Sequence, residues 1–197
     1  MTHPDPAALL TANAEASARL LARMNELAGP LAKATDVLSQ CLLNGHTLLA
    51  CGNGGSACDA AHLVAEIAGR YKMERPGFSA VDLTANHSLT TALVNDYPPE
   101  QLFARQVQAL GHAGDVLVAF STSGNSTNVR LALEAAPAMD IRTVAFLGHD
   151  GGACRDLADI TLLVDHDTTA RIQEAHLMLY HTICEALDPR LADAAGG

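Results

Sequence analysis

The sequence predicts a single α/β domain of the doubly wound, flavodoxin-like type, with helices on both faces of a central parallel sheet of about five strands. The first observation is that short apolar strands alternate with helical patterns along most of the 197 residues. The second is that 49% of the residues are hydrophobic but only 4% are aromatic, so the core must be aliphatic and rich in alanine. The third is that two strands run into glycine-rich or serine-rich turns at their carboxyl ends, where such sheets bind ligands.

Two helical patterns precede the first strand. Apolar residues at helical spacing extend from 7 to about 27, and Gly29-Pro30 is expected to end this helix. A second helix is predicted from 31 to about 43. The segment 7–44 either covers a face of the sheet or pairs with the same segment of another copy of the chain. We favour the second role, because soluble α/β proteins of this size often form symmetric oligomers.

The sheet core is predicted to span 46–187. Its strands are expected at 46–51, 78–83, 115–120, 142–147 and 160–164. Its helices are expected at 57–68, 86–94, 99–110, 128–136, 153–157 and 170–187. Right-handed crossovers then place helices on both faces of the sheet. The tail 192–197 is expected to be disordered.

Composition narrows the class of partner. Twelve basic and 22 acidic residues give a net charge of -10, which argues against a nucleic acid or an anionic membrane. No apolar run approaches the roughly 20 residues needed to span a bilayer. The five cysteines are odd in number, form no Cys-x-x-Cys motif and follow no signal peptide, so we expect reduced thiols in a cytoplasmic protein.

The turn Ser121-Thr-Ser-Gly-Asn-Ser126 joins the strand at 115–120 to the helix at 128–136. The N–H groups of such a turn and of the first helical turn converge on one point, where the helix dipole favours an anion, usually phosphate. The turn lacks Gly-Lys-Ser/Thr and is not a nucleotide P-loop, so a small phosphorylated metabolite is the predicted ligand. The alternative is a plain turn capped by Ser126 or Thr127.

A second turn of the same kind, Gly52-Asn-Gly-Gly-Ser56, joins the first strand to its helix. It does not match Gly-x-Gly-x-x-Gly, and no acidic residue about 20 positions further on is suited to hold a ribose. NAD is therefore discounted as a ligand.

Three ionisable side chains lie on mostly apolar helices. His62 and Glu66 are spaced i, i+4 and share one face of their helix. This spacing indicates a metal site or an acid–base pair, and the alternative is a solvent-facing pair. His181 continues an apolar stripe on the last helix, so periodicity alone leaves open a core histidine or a catalytic one.

Seven motifs follow one another along the chain: Cys51-Gly-Asn-Gly-Gly-Ser56, His62-x-x-x-Glu66, Glu74-Arg-Pro76, Asn95-Asp96, Ser121-Thr-Ser-Gly-Asn-Ser126, Asp150-Gly-Gly152 and Arg171-Ile-Gln-Glu-x-His176. In this order they resemble the phosphoheptose isomerases (sedoheptulose 7-phosphate isomerases) of the sugar-isomerase domain superfamily. The resemblance extends from the first helix to about Leu187. The serine-rich motif alone marks only the superfamily, so the specificity lies in the combination.

The resemblance implies an aldose–ketose isomerase that converts sedoheptulose 7-phosphate to D-glycero-D-manno-heptose 7-phosphate. This is the first step toward the ADP- or GDP-heptose precursors of bacterial surface polysaccharides, including lipopolysaccharide. It also implies a homotetramer with a zinc ion in each subunit, and proton transfer by Glu66 and His181. The family's metal positions fall on His62, Glu66, Gln173 and His181. Its substrate positions fall on Asn53, Gly54, Gly55, Asn95, Asp96, Ser121, Thr122, Ser123, Ser126 and Gln173.

The alternative function is a non-catalytic regulator that binds a phosphosugar and resembles the DnaA initiator-associating protein, a tetrameric binding protein with the same fold. That relative lacks the carboxylate at position 66 and the imidazole at position 181, so their presence here favours the enzyme. Ala170 departs from some isomerases, which have Asp there, so any part of that Asp in substrate binding is absent or supplied elsewhere. By pattern alone, Asn95-Asp96 is a helix C-cap as readily as a ligand contact.

Gln173 and His181 are too far apart on one helix to bind the same ion easily. Their separation of eight positions corresponds to about 12 Å along the helix axis and roughly 80° around it. Zinc needs its ligands at about 2 Å. If the resemblance holds, two copies of the last helix supply these residues, and the active sites are shared between subunits.

Overall fold

The protein is described here by a computed structural model that covers residues 3–195. Its strands are β1 (Leu48–Gly52), β2 (Ala80–Asp82), β3 (Val116–Ser121), β4 (Arg142–Gly148) and β5 (Ile160–Val164). They form one parallel sheet in the order β2-β1-β3-β4-β5. This is the flavodoxin-like order, so the predicted fold class is confirmed.

The α-helices of the described residues are α1 (Pro6–Leu21), α2 (Ala28–Leu43), α3 (Gly55–Ala68), α4 (His87–Asp96), α5 (Leu102–Leu110), α6 (Thr127–Ala135) and α7 (Thr169–Ala195). Short 3-10 segments lie at Met24–Leu27, Pro99–Gln101, Ala136–Met139 and Gly152–Cys154. Within residues 3–195, no helix combines the length and the apolar character needed to cross a membrane.

The sheet separates two apolar cores. On one face α2, α3 and α7 cover residues such as Leu48 and Phe146, and on the other α5 and α6 cover residues such as Leu49 and Leu147. Neighbouring residues of a strand contribute to opposite cores because successive side chains alternate between the faces. All six residues of β3 are buried, as expected for a central strand covered on both faces.

The break between the two N-terminal helices comes earlier than predicted. α1 ends at Leu21, and Gly29-Pro30 lies in the first turn of α2 instead of ending the preceding helix. Proline is compatible with a first helical turn, because the N–H groups there have no intrahelical partner. α2 packs against α7 and β5, so it covers a face of the sheet, which was the first of its two predicted roles.

The prediction of a disordered tail is wrong for residues 192–195, because α7 continues to Ala195. Leu191 is fully buried in the core and anchors the last turns, and the alanines that follow favour a helix. Residues 196 and 197 of the predicted tail lie outside the described part of the chain.

The helices α3 and α7 lie side by side and run in the same direction. Near the start of both, the side chain of Gln173 packs on Gly55. Further along both, the Tyr180 hydroxyl is 2.9 Å from His62 Nδ1. This arrangement determines which residues of the two helices can meet.

The C-terminal end of α3 is fixed to α7 by a buried ion pair. The side chains of Arg75 and Asp188 are 1% and 2% exposed, and Arg75 Nε is 2.8 Å from Asp188 Oδ1. The same guanidinium donates to the carbonyl oxygens of Glu66 (2.8 Å) and Ile67 (3.1 Å). Carbonyls in the last turn of a helix lack intrahelical partners, so Arg75 stabilises the turn that carries Glu66.

The two predicted anion-binding turns are neighbours, because β1 pairs with β3. This is the topological switch point of the sheet, where doubly wound proteins bind ligands. The side-chain amides of Asn53 and Asn128 exchange two hydrogen bonds of 2.8 and 2.9 Å, which join the first turn to the start of α6.

Candidate active site

Three ionisable side chains from two helices form a cluster. α3 contributes His62 and Glu66 and α7 contributes His181, and one potential ligand atom of each lies within 4.8 Å of the others. His62 Nε2 is 2.9 Å from Glu66 Oε1, and the centroids of the His62 and His181 rings are 4.9 Å apart. The cluster is more than a solvent-facing pair on one helix, because α7 supplies its third member.

The cluster has the donor set of a metal site. Two imidazoles and a carboxylate are common zinc ligands, and catalytic zinc sites combine three protein ligands with an open position. The side chains of His62 and Glu66 are 43% and 20% exposed, so a small molecule can reach them from solvent. These three residues could therefore hold a metal ion.

The pKa of His181 is lowered, which favours its neutral form. Burial lowers its pKa and the neighbouring His62 lowers it further, while Glu66 acts in the opposite direction. A neutral imidazole can bind a metal or exchange a proton near neutral pH. The geometry supports both of these roles for His181.

Gln173, the fourth predicted metal residue, lies apart from this cluster. Its side-chain amide covers Gly55, where an added Cβ would come within 2.2 Å of Gln173 Nε2. Gln173 is therefore at the glycine-rich turn, and its eight-residue separation from His181 on α7 corresponds to about 12 Å. Within one chain, the structure brings together three of the four predicted metal residues.

The serine-rich turn is built in a way that leaves the start of α6 open. The hydroxyl of buried Ser121 donates to the Ser126 hydroxyl at 3.1 Å, and Ser126 makes no side-chain capping bond although it is the N-cap of α6. Ser123 is exposed and Thr122 is half-buried. The plain capping role is therefore not observed for Ser126. Asn128 Oδ1 accepts a hydrogen bond from the Val129 N–H at 3.0 Å, and the N–H groups of the two residues before Val129 remain available to an anion.

The turn is held in place by the loop after β4. Gly124 has a φ of +64°, and an added Cβ would lie 2.1 Å from the carbonyl oxygen of Gly151. The carbonyl oxygen of Gly124 accepts a hydrogen bond from the Cys154 N–H at 2.9 Å. The Asn125 side chain accepts another from the Ala153 N–H at 3.0 Å. The Asp150-Gly-Gly152 motif thus supports the serine-rich turn.

The other predicted substrate positions lie at helix ends. Gly54 is the N-cap of α3 and has a φ of 55°. Because glycine has no side chain, the start of α3 also lacks a side-chain cap. Asn95 and Asp96 end α4, are exposed, and bond to each other through Nδ2 and Oδ1 at 2.8 Å. α4 buries none of its residues, so Asn95 and Asp96 are open to solvent in the single chain.

A cleft of about 500 Å³ lies beside the serine-rich turn and is acidic. Its lining includes Ser123 and His149 together with the carboxylates Asp150, Asp165 and Asp167. Three carboxylates repel a phosphate dianion. A phosphate would therefore fit the start of α6 better than this acidic cleft.

Sequence reasoning missed two residues that contact or adjoin the cluster. Tyr180 is 1% exposed and its hydroxyl contacts His62. Asp59 is 9% exposed, its Oδ2 has no hydrogen-bond partner among the described residues, and burial raises its pKa to about 6 although His62 opposes this. Asp59 is three positions before His62 on α3, so helical spacing could have identified it.

The fold and the cluster together define a sugar-isomerase-type domain, and comparison with known proteins agrees. The family model described as SIS domain matches residues 13–148. Among relatives, the phosphoheptose isomerase of Aromatoleum aromaticum is 48% identical over 178 residues, covering 88% of this chain and 90% of that protein.

Solved structures narrow the class further. The phosphoheptose isomerase of Neisseria gonorrhoeae is 42% identical with a TM-score of 0.87, and that of Francisella tularensis is 34% identical with a TM-score of 0.90. Each comparison covers 94% of this chain and 100% of the other. The chain belongs to the phosphoheptose isomerase family.

Proposed function

We propose that this protein is the aldose–ketose isomerase that converts sedoheptulose 7-phosphate to D-glycero-D-manno-heptose 7-phosphate. The observation that carries the proposal is the cluster of Glu66 and His181, which come from two helices and meet with His62 within 4.8 Å. Family membership at 48% identity supports the same activity. The product is the precursor from which heptose units of bacterial surface polysaccharide are made.

The reaction moves a proton between C1 and C2 of the sugar through an enediol. It needs a base that removes one proton, an acid that serves the sugar oxygens, and stabilisation of the charge that develops on them. We assign the base to Glu66, whose carboxylate is partly buried, and the acid to His181, whose imidazole exchanges protons near neutral pH.

We further propose that a zinc ion, one in each subunit, is held by His62, Glu66 and His181, with Gln173 supplied by a second copy of the chain. Bound there, zinc would supply Lewis-acid stabilisation of the sugar oxygens. The donor set of two imidazoles and a carboxylate supports the choice of zinc.

The phosphate is assigned to the serine-rich turn. Ser121, Thr122, Ser123 and Ser126 surround the start of α6, where free N–H groups and the helix dipole favour an anion. Asn53, Gly54 and Gly55 form the adjacent turn, and Asn95 and Asp96 complete the proposed contacts. Holding the phosphate orients C1 and C2 at the catalytic cluster.

A homotetramer with shared active sites belongs to the same proposal. α1 buries only Leu20 in the described chain, while Leu9 and Leu10 are 48% and 71% exposed. Apolar residues left open on an N-terminal helix suit a contact with a second copy. We also propose a cytoplasmic location, with which the five free thiols agree.

The test is turnover of sedoheptulose 7-phosphate with and without a chelator, together with the metal content of the purified protein. Glu66→Gln and His181→Gln should each lower kcat by about 100-fold or more, the range for a lost general acid or base. Near-wild-type turnover in either variant would remove that residue from the mechanism. Binding of the sugar phosphate without turnover would instead support the non-catalytic regulator.

A further inference from the structure

We propose that Tyr180 is a positioning residue, whose hydroxyl fixes the His62 imidazole so that Nε2 faces Glu66 and His181. The inference concerns the orientation of His62 and rests on the proposed function of the cluster. It deepens that function by adding a residue that contacts neither sugar nor metal.

Both ring nitrogens of His62 have a partner. The Tyr180 hydroxyl oxygen is 2.9 Å from Nδ1, and Glu66 Oε1 is 2.9 Å from Nε2. A 180° rotation of the ring would replace the nitrogens by carbons and break both hydrogen bonds. Because the Glu66 contact lies on the partly exposed side of the cluster, the Tyr180 contact is the one that a bound sugar would leave in place.

Tyr180 is itself held rigidly. The residue is 1% exposed, and its ring makes edge contacts with Phe120 (6.1 Å, 87°) and His181 (4.9 Å, 75°). Phe120 in turn stacks on Phe146 at 4.6 Å. The hydroxyl therefore presents a fixed hydrogen-bonding atom to His62, built on the core of the protein rather than on a mobile surface.

A hydroxyl suits this position because it can donate or accept a hydrogen bond. A carboxylate can only accept, so the contact with Glu66 calls for the proton of a neutral His62 ring on Nε2, and Nδ1 would then accept from the Tyr180 hydroxyl. With Nε2 as a ligand, the ring proton would lie on Nδ1, and the Nδ1–H group would donate a hydrogen bond to the same hydroxyl oxygen. Partners of this kind orient metal-binding histidines in proteins generally.

The type of group at this position matters because His62 has two neutral forms, one that needs a donor at Nδ1 and one that needs an acceptor there. A carboxylate or a carbonyl at this position could accept from His62 but could not donate to it. Tyrosine therefore supports both forms of His62.

The experiment compares wild type with Tyr180→Phe, which keeps the buried ring and removes only the hydroxyl. Tyr97→Phe is the matched control, because Tyr97 is exposed and stacks on Arg105. Zinc is titrated into metal-stripped protein in competition with a chromophoric chelator. We expect Tyr180→Phe to bind zinc about 10–100-fold more weakly, as for other lost partners of metal-binding histidines, and Tyr97→Phe to match wild type. In turnover, kcat should fall while KM is unchanged, since the serine-rich turn is untouched.

A second readout needs neither metal nor substrate. Nitrogen-15 NMR of the histidine rings in the metal-free protein, with His62 assigned by its loss in His62→Gln, reports which nitrogen carries the proton. Wild type should show one form, protonated on Nε2, and Tyr180→Phe should show a mixture of both. A Tyr180→Phe protein with the wild-type His62 spectrum and wild-type zinc affinity would overturn the proposal.

The two proposals can fail separately. Wild type that binds no zinc would contradict the proposed cofactor, while the NMR comparison would still decide the role of Tyr180. If Tyr180→Phe does not fold, the wild-type spectrum decides: His62 protonated on Nδ1, or a mixture of both forms, would overturn the inference.

Discussion

Ser126 begins α6, yet its hydroxyl accepts a hydrogen bond from Ser121 at 3.1 Å and does not cap the helix. A serine at a helix start normally satisfies one of the free N–H groups. Here the Val129 N–H donates to Asn128 Oδ1 at 3.0 Å, while the N–H groups of Thr127 and Asn128 have no hydrogen-bond partner among the described residues, which favours a ligand with strong acceptor oxygens. The contacts of Ser126 therefore support the proposed phosphate site and not a capping role for this serine.

We predict that Ser123→Ala and Ser126→Ala raise KM for sedoheptulose 7-phosphate more than they lower kcat. The reason is that phosphate contacts are largely equal in the ground state and the transition state. Steady-state kinetics measure both constants. Ser79→Ala is the control, because Ser79 precedes β2 and lies at the N-terminal ends of the parallel strands, away from the turn at their C-terminal ends. An unchanged KM in both variants would indicate that the Gly52–Ser56 turn binds the phosphate.

His176 gives a prediction about pH. It is fully buried, Nε2 lies 3.2 Å from the Leu147 carbonyl oxygen, and burial lowers its pKa to about 4 although that hydrogen bond opposes the change. In the unfolded chain a histidine has a pKa of about 6.5. Between these values the unfolded state binds a proton that the folded state does not.

The free energy of unfolding should therefore lose up to about 3 kcal/mol from this one group as the pH falls from about 6.5 to about 4, and nothing from it above that range. Urea unfolding at about pH 7.5 and pH 5 measures the change. His176→Leu should unfold with a smaller difference between the two pH values. An equal difference in the variant would assign the acid sensitivity to other groups.

At the scale of residues, the sequence predicted three residues that the structure brings together, but not the way they are held. His62, Glu66 and His181 were identified by spacing and by the resemblance to the family, and the structure brings them together. Tyr180 was missed because its hydroxyl bonds His62 from a position 118 residues away in sequence. Such a contact depends on α7 lying against α3, which local pattern does not encode.

At the scale of elements, α3 and α7 must keep a fixed relation for Glu66 and His181 to meet. The buried pair of Arg75 and Asp188 joins the end of α3 to α7. Asp188 also accepts hydrogen bonds from the N–H groups of Lys72 (2.8 Å) and Met73 (2.6 Å). Removal of one partner would leave a buried charge uncompensated.

We predict that Asp188→Asn lowers the free energy of unfolding by about 3–5 kcal/mol, measured by urea unfolding near neutral pH. Asp36→Asn is the matched control, because Asp36 and Arg190 are also 2.8 Å apart but their side chains are 60% and 45% exposed. An exposed pair of this kind contributes at most about 1 kcal/mol. Equal losses in the two variants would contradict the structural role of the buried pair.

The contribution of the Arg75–Asp188 pair to the free energy of unfolding depends on pH. Burial acts to raise the pKa of Asp188, but the hydrogen bonds from Met73 and Arg75 outweigh it and hold the pKa below its ordinary value. Its contribution is therefore complete above about pH 4 and is lost as the pH falls through the lower folded pKa. The acid limb of the stability curve should be less steep in Asp188→Asn than in wild type.

Element boundaries were the least predictable part of the fold. Gly29-Pro30 was assigned to a helix end because both residues disfavour helix interiors, but the first turn of α2 tolerates them. The tail was assigned disorder from its small residues, but burial of Leu191 extends α7 to Ala195. In the second case tertiary packing decided what local propensity left open.

At the scale of the whole molecule, the alternation of strands and helices was sufficient to predict the parallel sheet and the strand ends at which the two glycine-rich and serine-rich turns lie. The order β2-β1-β3-β4-β5 places the two predicted anion-binding turns side by side, at the switch point of a doubly wound sheet. A single chain does not bring all four predicted metal residues together. Gln173 lies on the Gly55 turn while His181 joins His62 and Glu66, although all four are predicted metal positions.

The separation of these residues is fixed by the helix that carries them. α7 is continuous from Thr169 to Ala195, so Gln173 and His181 cannot approach one another by local unwinding without loss of the helix. At about 1.5 Å per residue they stay about 12 Å apart along the axis. A site that uses both therefore needs Gln173 from one copy of the chain and His181 from another.

The last prediction is that two inactive variants restore activity when they are mixed. Gln173→Ala and His181→Ala proteins are combined under conditions that allow subunits to exchange, and turnover is followed with time. Mixed assemblies would contain some sites in which the Gln173 and the His181 are both intact, so partial activity should return at the rate of exchange. Each variant mixed with itself is the control, and exchange is confirmed independently with labelled subunits. No recovery despite exchange would mean that each chain builds its site alone, and that α7 bends or Gln173 has no part in the metal site.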